Sequence, residues 1–247
     1  MRFEIYTLGK NKDNSFNKII KKNNRFRRKT KVGQKTHPKL IRIGISKDWS
    51  SKWFSQKDYA KYLLEDYKIR KVINEKYKNA GIAEINIERS ANNTSVTVNT
   101  SRPGILIGRG GMGIEGLRKE IEKITKRKTG VIVEEVSVPE NSAILVAKNI
   151  AEQIEKRIPY RRAVKQAIEN VMKVGVRGIR VRVSGRLNGA EIARNEKFFQ
   201  GKIPLSTFRE NIDFARIPAN TTYGVIGIKV WIYRKEEEAK KIKKTDQ

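Results

Sequence analysis

Residues 82–100 change character at every second position. In IAEINIER, Ile85 and Ile87 alternate with Glu84, Asn86 and Glu88, and in TSVTVNT, Val96 and Val98 alternate with polar neighbours. A period of two puts the apolar side chains on one face of a strand and the polar ones on the other. With Asn92-Asn93 as the turn between them, the two runs predict a hairpin. One wet face suits an antiparallel sheet, whereas a parallel sheet is buried on both sides. The flanking stretches are helical. From near Gln56, the residues Tyr59, Tyr62, Leu63, Ile69, Val72 and Ile73 predict an apolar helix side that ends at Asn79-Ala80-Gly81. Further on, Ile114, Leu117, Ile121 and Ile124 step by three and four along a second helix, predicted to end at Gly130. VIVEEVSV then reads as a strand closed by Pro139.

Between hairpin and second helix lies GILIGRGGMG, residues 104–113. Gly108, Gly110 and Gly113 fit G-x-G-x-x-G, the dinucleotide-binding turn; Gly108 and Gly111 fit G-x-x-G, the loop that grips a nucleic-acid backbone in K-homology (KH) domains. Glu134 and Glu135 stand where a dinucleotide fold wants its ribose-binding acid. Against that reading, Arg102-Pro103-Gly104 leaves only three residues for a preceding strand, and a Pro-Gly pair marks a turn. The strands alternate, and no further β-α-β unit follows. The order α, β, β, α, loop, α, β fits the KH reading, with ILI in a short helix. Glycines let the backbone approach phosphate, helix amides favour negative charge, and Arg109 adds a mobile cation. A glycine-rich helix–helix turn without ligand is the third reading of the same letters.

A second unit follows. Ala143, Ala147, Ile150, Ile154 and Ile158 line one helix, broken by Pro159; Val164, Ile168, Val171 and Met172 line another, ended by Gly175. IRVRVSGRL and GVIGIKVWIY read as strands, with a long, turn-rich connection between them. RKEEEAKKIKKTDQ has mixed charge and no apolar face.

The charge decides the class of partner. The 247 residues hold 55 Lys plus Arg against 26 Asp plus Glu, a formal net charge of +29. Such a field attracts polyanions, nucleic acid first and an anionic membrane surface second. The chain has no cysteine and one histidine, which excludes disulfides and thiolate metal sites and leaves little for a His-based zinc site or a catalytic triad. No catalytic constellation, metal site or cofactor is expected, and no apolar run is long enough to span a bilayer. The N-terminus lacks the pattern of a secretory signal; it is basic and acid-poor like an organellar transit peptide, but few serines and many asparagines count against that.

The cations are distributed unevenly. Lys18 to Lys31 carries eight basic residues and no acid, the composition of an RNA-binding arm or a solvated tail. Arg161, Arg162 and Lys165 open the helix after Pro159 as a patch opposite Val164 and Ile168; spacing alone does not separate function from an ordinary wet face. Arg180, Arg182 and Arg186 alternate with Ile179, Val181, Val183 and Leu187, which predicts three arginines on one sheet face. Like charges side by side are unfavourable unless an anion such as RNA covers them, and the arginine fork suits phosphate. Trp49, Trp53 and Phe54 read as anchors of a chain end into the core. His37, in Thr-His-Pro, reads as a local hydrogen-bonding or phosphate-contacting residue.

At this point GQKTHP, WSSKWF, RPGILIGRGG, IPYRRAVKQAIENVMKVGVRGIRVRVSGRLNGAEIAR and TTYGVIGIKVWIY together resemble the family of small-subunit ribosomal protein three, bacterial or organellar type, from about Gly33 to Tyr233. The resemblance implies an α+β fold: an N-terminal type II KH domain followed by a C-terminal α/β domain with two helices packed on a mainly antiparallel sheet. The expected division is a basic extension 1–32, an N-terminal segment 33–55, the KH domain 56–139, the C-terminal domain 140–234 and a charged tail 235–247. The resemblance further implies a structural rRNA-binding protein in the head of the small subunit, lining the channel through which messenger enters and assisting passive unwinding. It places Arg161, Arg162 and Lys165 on messenger; the loop Gly108, Arg109, Gly110 and Gly111 is expected on RNA, and Arg180, Arg182, Arg186, Lys35 and His37 are expected on rRNA. Partners would be small-subunit rRNA, mRNA and ribosomal proteins ten and fourteen, on a cytoplasmic or organellar ribosome. The rival is a free-standing KH-type RNA-binding regulator. Two departures stand out. Gly110 occupies a loop position where the family carries a large polar or basic residue. Val32 stands where the family begins with Met, so residues 1–31 are expected to be either a genuine arm or a start-site artefact.

Overall fold

A computed structural model describes residues 36–90 and 93–235. The basic run Lys18–Lys31, Val32, Lys35, Asn92 and most of the charged tail lie outside them. In chain order the elements are α1 (Pro38–Ile41), β1 (Ser51–Lys52), α2 (Tyr59–Lys76), β2 (Ile82–Arg89), β3 (Asn93–Thr100), α3 (Pro103–Ile107), α4 (Met112–Thr125), β4 (Lys128–Glu135), α5 (Ala143–Glu155), α6 (Tyr160–Lys173), β5 (Gly178–Gly185), β6 (Arg194–Gly201), β7 (Ile212–Thr221) and β8 (Gly224–Tyr233).

They form two four-stranded sheets, ordered β1-β2-β3-β4 and β6-β5-β8-β7. In the first, β2 and β3 are antiparallel, with Ile85 opposite Val98 and Ile87 opposite Val96, while β1 and β4 add parallel strands at the edges. The alternation drives one face inward. Ile85, Ile87, Val96 and Val98 pack with Ile69 and Ile73 of α2, Leu106 of α3, and Leu117 and Ile121 of α4. The second sheet is antiparallel throughout. Its inward residues Ile179, Val181, Val183, Ile228, Val230 and Ile232 pack under α5 and α6 in a separate core.

Several elements differ from the periodicity reading. On α2, Tyr59, Leu63, Leu64 and Tyr67 are more than half exposed, and the buried stripe runs through Glu65, Asp66, Ile69 and Ile73. Two acids enter the interior because Arg89, on β2, meets both: Nη1 to Glu65 at 2.7 Å and Nη2 to Asp66 at 2.5 Å, with the arginine side chain 2% exposed. Helix α4 stops at Thr125, with Lys126 in the left-handed region; Gly130 lies inside β4, opposite Ser95. The connection between the two strands read in the second unit holds two more, β6 and β7. Both are edge strands, and β7 contains Pro218, which a sheet tolerates at an edge where no ladder N–H is required. Of the three aromatics ahead of α2, only Trp53 anchors, its Nε1 donating to Asp66 at 2.8 Å and its ring against Tyr59 and Tyr62; Trp49 and Phe54 are exposed.

The segment before β1 is held by Arg42, which is fully buried. Its guanidinium donates to the carbonyls of Pro38, Leu205, Thr207 and Glu210, so α1 is tied to the β6–β7 connection. Lys148 of α5 donates to the Ile82 carbonyl at 2.9 Å, joining the second core to β2.

Candidate nucleic-acid interface

The glycine loop sits between two helices that leave β3 and return to β4. Residues 103–107 are helical, so no strand runs into the glycines as a dinucleotide site requires. Gly108 (φ 68, ψ −179) turns the chain into a short 3-10 segment, Arg109–Gly111, in which Gly110 has φ 60 and Gly111 φ 81. These angles disfavour side chains, so the loop presents backbone. Gly108, Arg109 and Gly110 are exposed at the start of α4, where unpaired helix amides favour an anion. Gly113, which a two-glycine reading leaves idle, serves packing instead. A Cβ there would run into the carbonyl oxygens of Leu106 and Ile107, the second at 2.9 Å. Gly113 thus allows α3 and α4 to close on one another and so sets the loop's shape.

The start of α6 gathers the second cluster. Val164 and Ile168 are buried, which turns Arg161, Arg162 and Lys165 outward. Tyr160, almost fully buried, donates its hydroxyl to Glu196 Oε1 at 2.9 Å and accepts from Arg161 Nε at 3.1 Å; Arg161 Nη2 reaches the same carboxylate at 3.0 Å. Hydrogen bonds from Arg161 and then Tyr160 hold Glu196 below its ordinary pKa, and Glu196 with Tyr160 raises that of Arg161. The arginine is thereby fixed in direction, while Arg162 and Lys165 form no ion pair among the described residues. Glu196 lies on β6, one of the strands hidden from the periodicity reading; it stands inside the polar run Arg194–Lys197, where no apolar alternation marks a strand.

Arg180 and Arg182 share the outward face of β5 as expected. Arg186 does not join them. The strand ends at Gly185 (φ 143), and Arg186 turns onto the Ala190 carbonyl at 3.0 Å and over the Tyr223 ring. Arg180 lies over the Trp231 ring at 5.2 Å, and Arg182 Nε donates to Asn195 at 2.8 Å. His37 caps α1, its Nδ1 accepting from the Lys39 amide at 3.2 Å, and its ring stands edge-on to Phe214 at 4.7 Å. Burial, then the charge of Lys39, push the imidazole below its ordinary value, so it is neutral at neutral pH. The loop, the α6 patch and the β5 face are thus three surfaces rather than one pocket. Among the described residues, no group of three or more His, Cys, Asp or Glu side chains could hold a metal ion, and no helix is long and apolar enough to cross a membrane.

Two stretches of the chain match known families. Residues 68–141 match the family described as KH domain, and residues 150–232 match ribosomal protein S3, C-terminal domain. The chain is similar to small ribosomal subunit protein uS3 of Caldicellulosiruptor saccharolyticus, 55% identical over 205 residues, which cover 82% of this chain and 92% of that one. It is 54% identical to the uS3 of Pelotomaculum thermopropionicum over 217 residues, covering 87% and 94% of the two chains. Against the uS3 of Enterococcus faecalis it is 48% identical over 205 residues, covering 83% and 94%.

Proposed function

The chain belongs to the family of small ribosomal subunit protein uS3, and from that premise we propose that it lines the channel by which messenger RNA enters the small subunit and assists its unwinding passively. It is a structural, RNA-binding component of the small ribosomal subunit and not an enzyme. The observation that carries the finer reading is the α6 start: three exposed cations, one of them aimed by a buried tyrosine and a carboxylate. Binding single strands there shifts the duplex equilibrium by differential affinity, with no nucleotide consumed. Gly108, Arg109, Gly110 and Gly111 offer backbone and one mobile cation to an RNA backbone. Arg180, Arg182, Arg186, Lys35 and His37 face ribosomal RNA on this reading. The division into a KH body over 56–139 and a C-terminal body over 140–234 follows the two cores. Ribosomal proteins ten and fourteen are its neighbours in the subunit head.

The test replaces Arg161, Arg162 and Lys165 with alanine. All three are exposed, so subunit assembly is expected to persist while translation slows on messages with stable hairpins. Equal slowing on structured and unstructured messages would refute the unwinding role.

A further inference from the structure

The register of the second sheet brings together two rows that no single strand reveals. Across the outward face, in the order β6-β5-β8-β7, Lys197 stands opposite Arg182, Arg182 opposite Lys229, and Lys229 opposite Arg216. One step along the strands, Phe199 stands opposite Arg180, Arg180 opposite Trp231, and Trp231 opposite Phe214. The first row is four cations with no acid among them; the second is three aromatic rings and a guanidinium, with Arg180 over Trp231 at 5.2 Å and Trp231 against Phe214 at 5.2 Å. Strand spacing makes the cation row span roughly 14 Å and sets the two rows about 7 Å apart.

The described residues leave both rows open except at Phe214, which is part-exposed and carries the His37 ring edge-on at 4.7 Å. Phe199 is 76% exposed, Lys197 and Arg216 are exposed, and Arg182, Lys229, Arg180 and Trp231 are part-exposed. None of the four cations in the first row forms an ion pair among the described residues. Like charges directly opposite on neighbouring strands are destabilising, and here the juxtaposition is repeated three times.

We infer that this face is a stacking platform for an unpaired segment of ribosomal RNA, with bases on the Phe199–Arg180–Trp231–Phe214 row and phosphates along the Lys197–Arg182–Lys229–Arg216 row. A polymer that repeats one planar base and one phosphate per unit matches a ring row and a cation row held at a constant offset, and single-strand binding surfaces combine these two components. The repulsion within the row returns whenever the occupant leaves, so a resident RNA fits better than a passing messenger. The inference rests on the reading of Arg180 and Arg182 as facing ribosomal RNA and deepens it: six further residues, and bases as well as phosphates.

Two measurements on the full-length chain test it. The first titrates a fluorescent oligouridylate of about 12 nucleotides, with inorganic polyphosphate as a probe that lacks bases. Phe199→Ala is expected to weaken the oligouridylate about tenfold and leave polyphosphate binding unchanged. Arg182→Gln with Lys229→Gln is expected to weaken both and to flatten the logarithmic salt slope by about 1.4, at about 0.7 for each phosphate no longer neutralised. The second cross-links messenger-free small subunits with ultraviolet light and identifies what is joined to the β6 and β8 peptides, with ribosomal RNA expected. A silent Phe199→Ala beside an active cation pair overturns the stacking platform and leaves the ribosomal-RNA reading standing. If both variants are silent, both readings fall. Cross-links that need added messenger, or that join only protein, overturn the assigned occupant.

Discussion

Replacing Arg89 with methionine isolates the largest buried electrostatic feature of the KH body. The methionine keeps much of the stem's apolar packing and removes the guanidinium, which is 2% exposed, bonded to Glu65 and Asp66 and 5.0 Å from the Tyr62 ring centre. Removing one partner of a buried ion pair costs about 3–5 kcal/mol, because the remaining charge is stranded. Two features set the expected size. Asp66 still receives the Trp53 indole N–H at 2.8 Å, which lowers its cost, whereas Glu65 is left with no other hydrogen bond among the described residues. Loss of the cation–π contact adds about 0.5–1 kcal/mol. With the Trp53 bond holding the ion-pair loss to its low end of about 3 kcal/mol, the sum is about 3.5–4 kcal/mol, a large part of the 5–15 kcal/mol that holds a typical domain. For a chain of this length that lowers the melting temperature by about 7–16 °C. Thermal unfolding followed by circular dichroism, at a salt concentration that keeps the basic chain soluble, reads the effect. Neutralising the acids as well, with Glu65→Gln and Asp66→Asn in the Arg89→Met background, is expected to recover about half of the loss. A variant melting within about 2 °C of the parent, or further loss on neutralising the acids, would refute the claim that Arg89 is what allows the two carboxylates inside.

Asp213 gives a pH-dependent counterpart. Burial would raise its carboxyl, but Arg234 at 2.8 Å, Lys47 and the amides of Ala143 and Phe214 outweigh burial and hold it below its ordinary 3.8. A depressed folded pKa contributes stability above the unfolded value and loses it as pH falls through the folded one. Asp213→Asn is therefore expected to cost about 2 kcal/mol near neutrality, with the gap to the parent closing as pH falls below about 4 in urea unfolding. In the glycine loop, Gly113→Ala is expected to cost about 3 kcal/mol, because its Cβ meets backbone oxygens, and Gly110→Ala about 1 kcal/mol, from its positive φ with open space around it; equal melting shifts would contradict that division.

Strong local periodicity makes much of the fold legible. The β2–β3 hairpin, α4, α5, α6, β5 and β8 each carry one apolar face with no competing signal. What stays hidden depends on contacts distant in sequence. The buried stripe of α2 includes Glu65 and Asp66, which read as wet until Arg89 arrives from β2. The strands β6 and β7 lie at sheet edges, where Arg194, Lys197 and Pro218 blur the alternation. Arg42 looks like one more surface cation, yet it is buried against carbonyls more than 160 residues away. Of the candidate residues, the glycine loop and the Arg161–Arg162–Lys165 cluster are visible as short motifs. Period two carried past Gly185, where the strand stops, no longer fixes the position of Arg186, which its bond to the Ala190 carbonyl sets instead. The four-cation row cannot be read at all, since it exists only in the register between strands.

The central claim is that the exposed cations of α6 and of the second sheet's outer face meet RNA in the assembled particle. A density map of the small subunit containing this chain, with and without bound messenger, tests that most directly. The expected map has messenger phosphates within about 4 Å of Arg161, Arg162 and Lys165 only when messenger is bound, and ribosomal RNA over Lys197, Arg182, Lys229 and Arg216 in both states. A map in which these two faces are bare or covered by protein, with RNA bound to the chain only elsewhere, would contradict it.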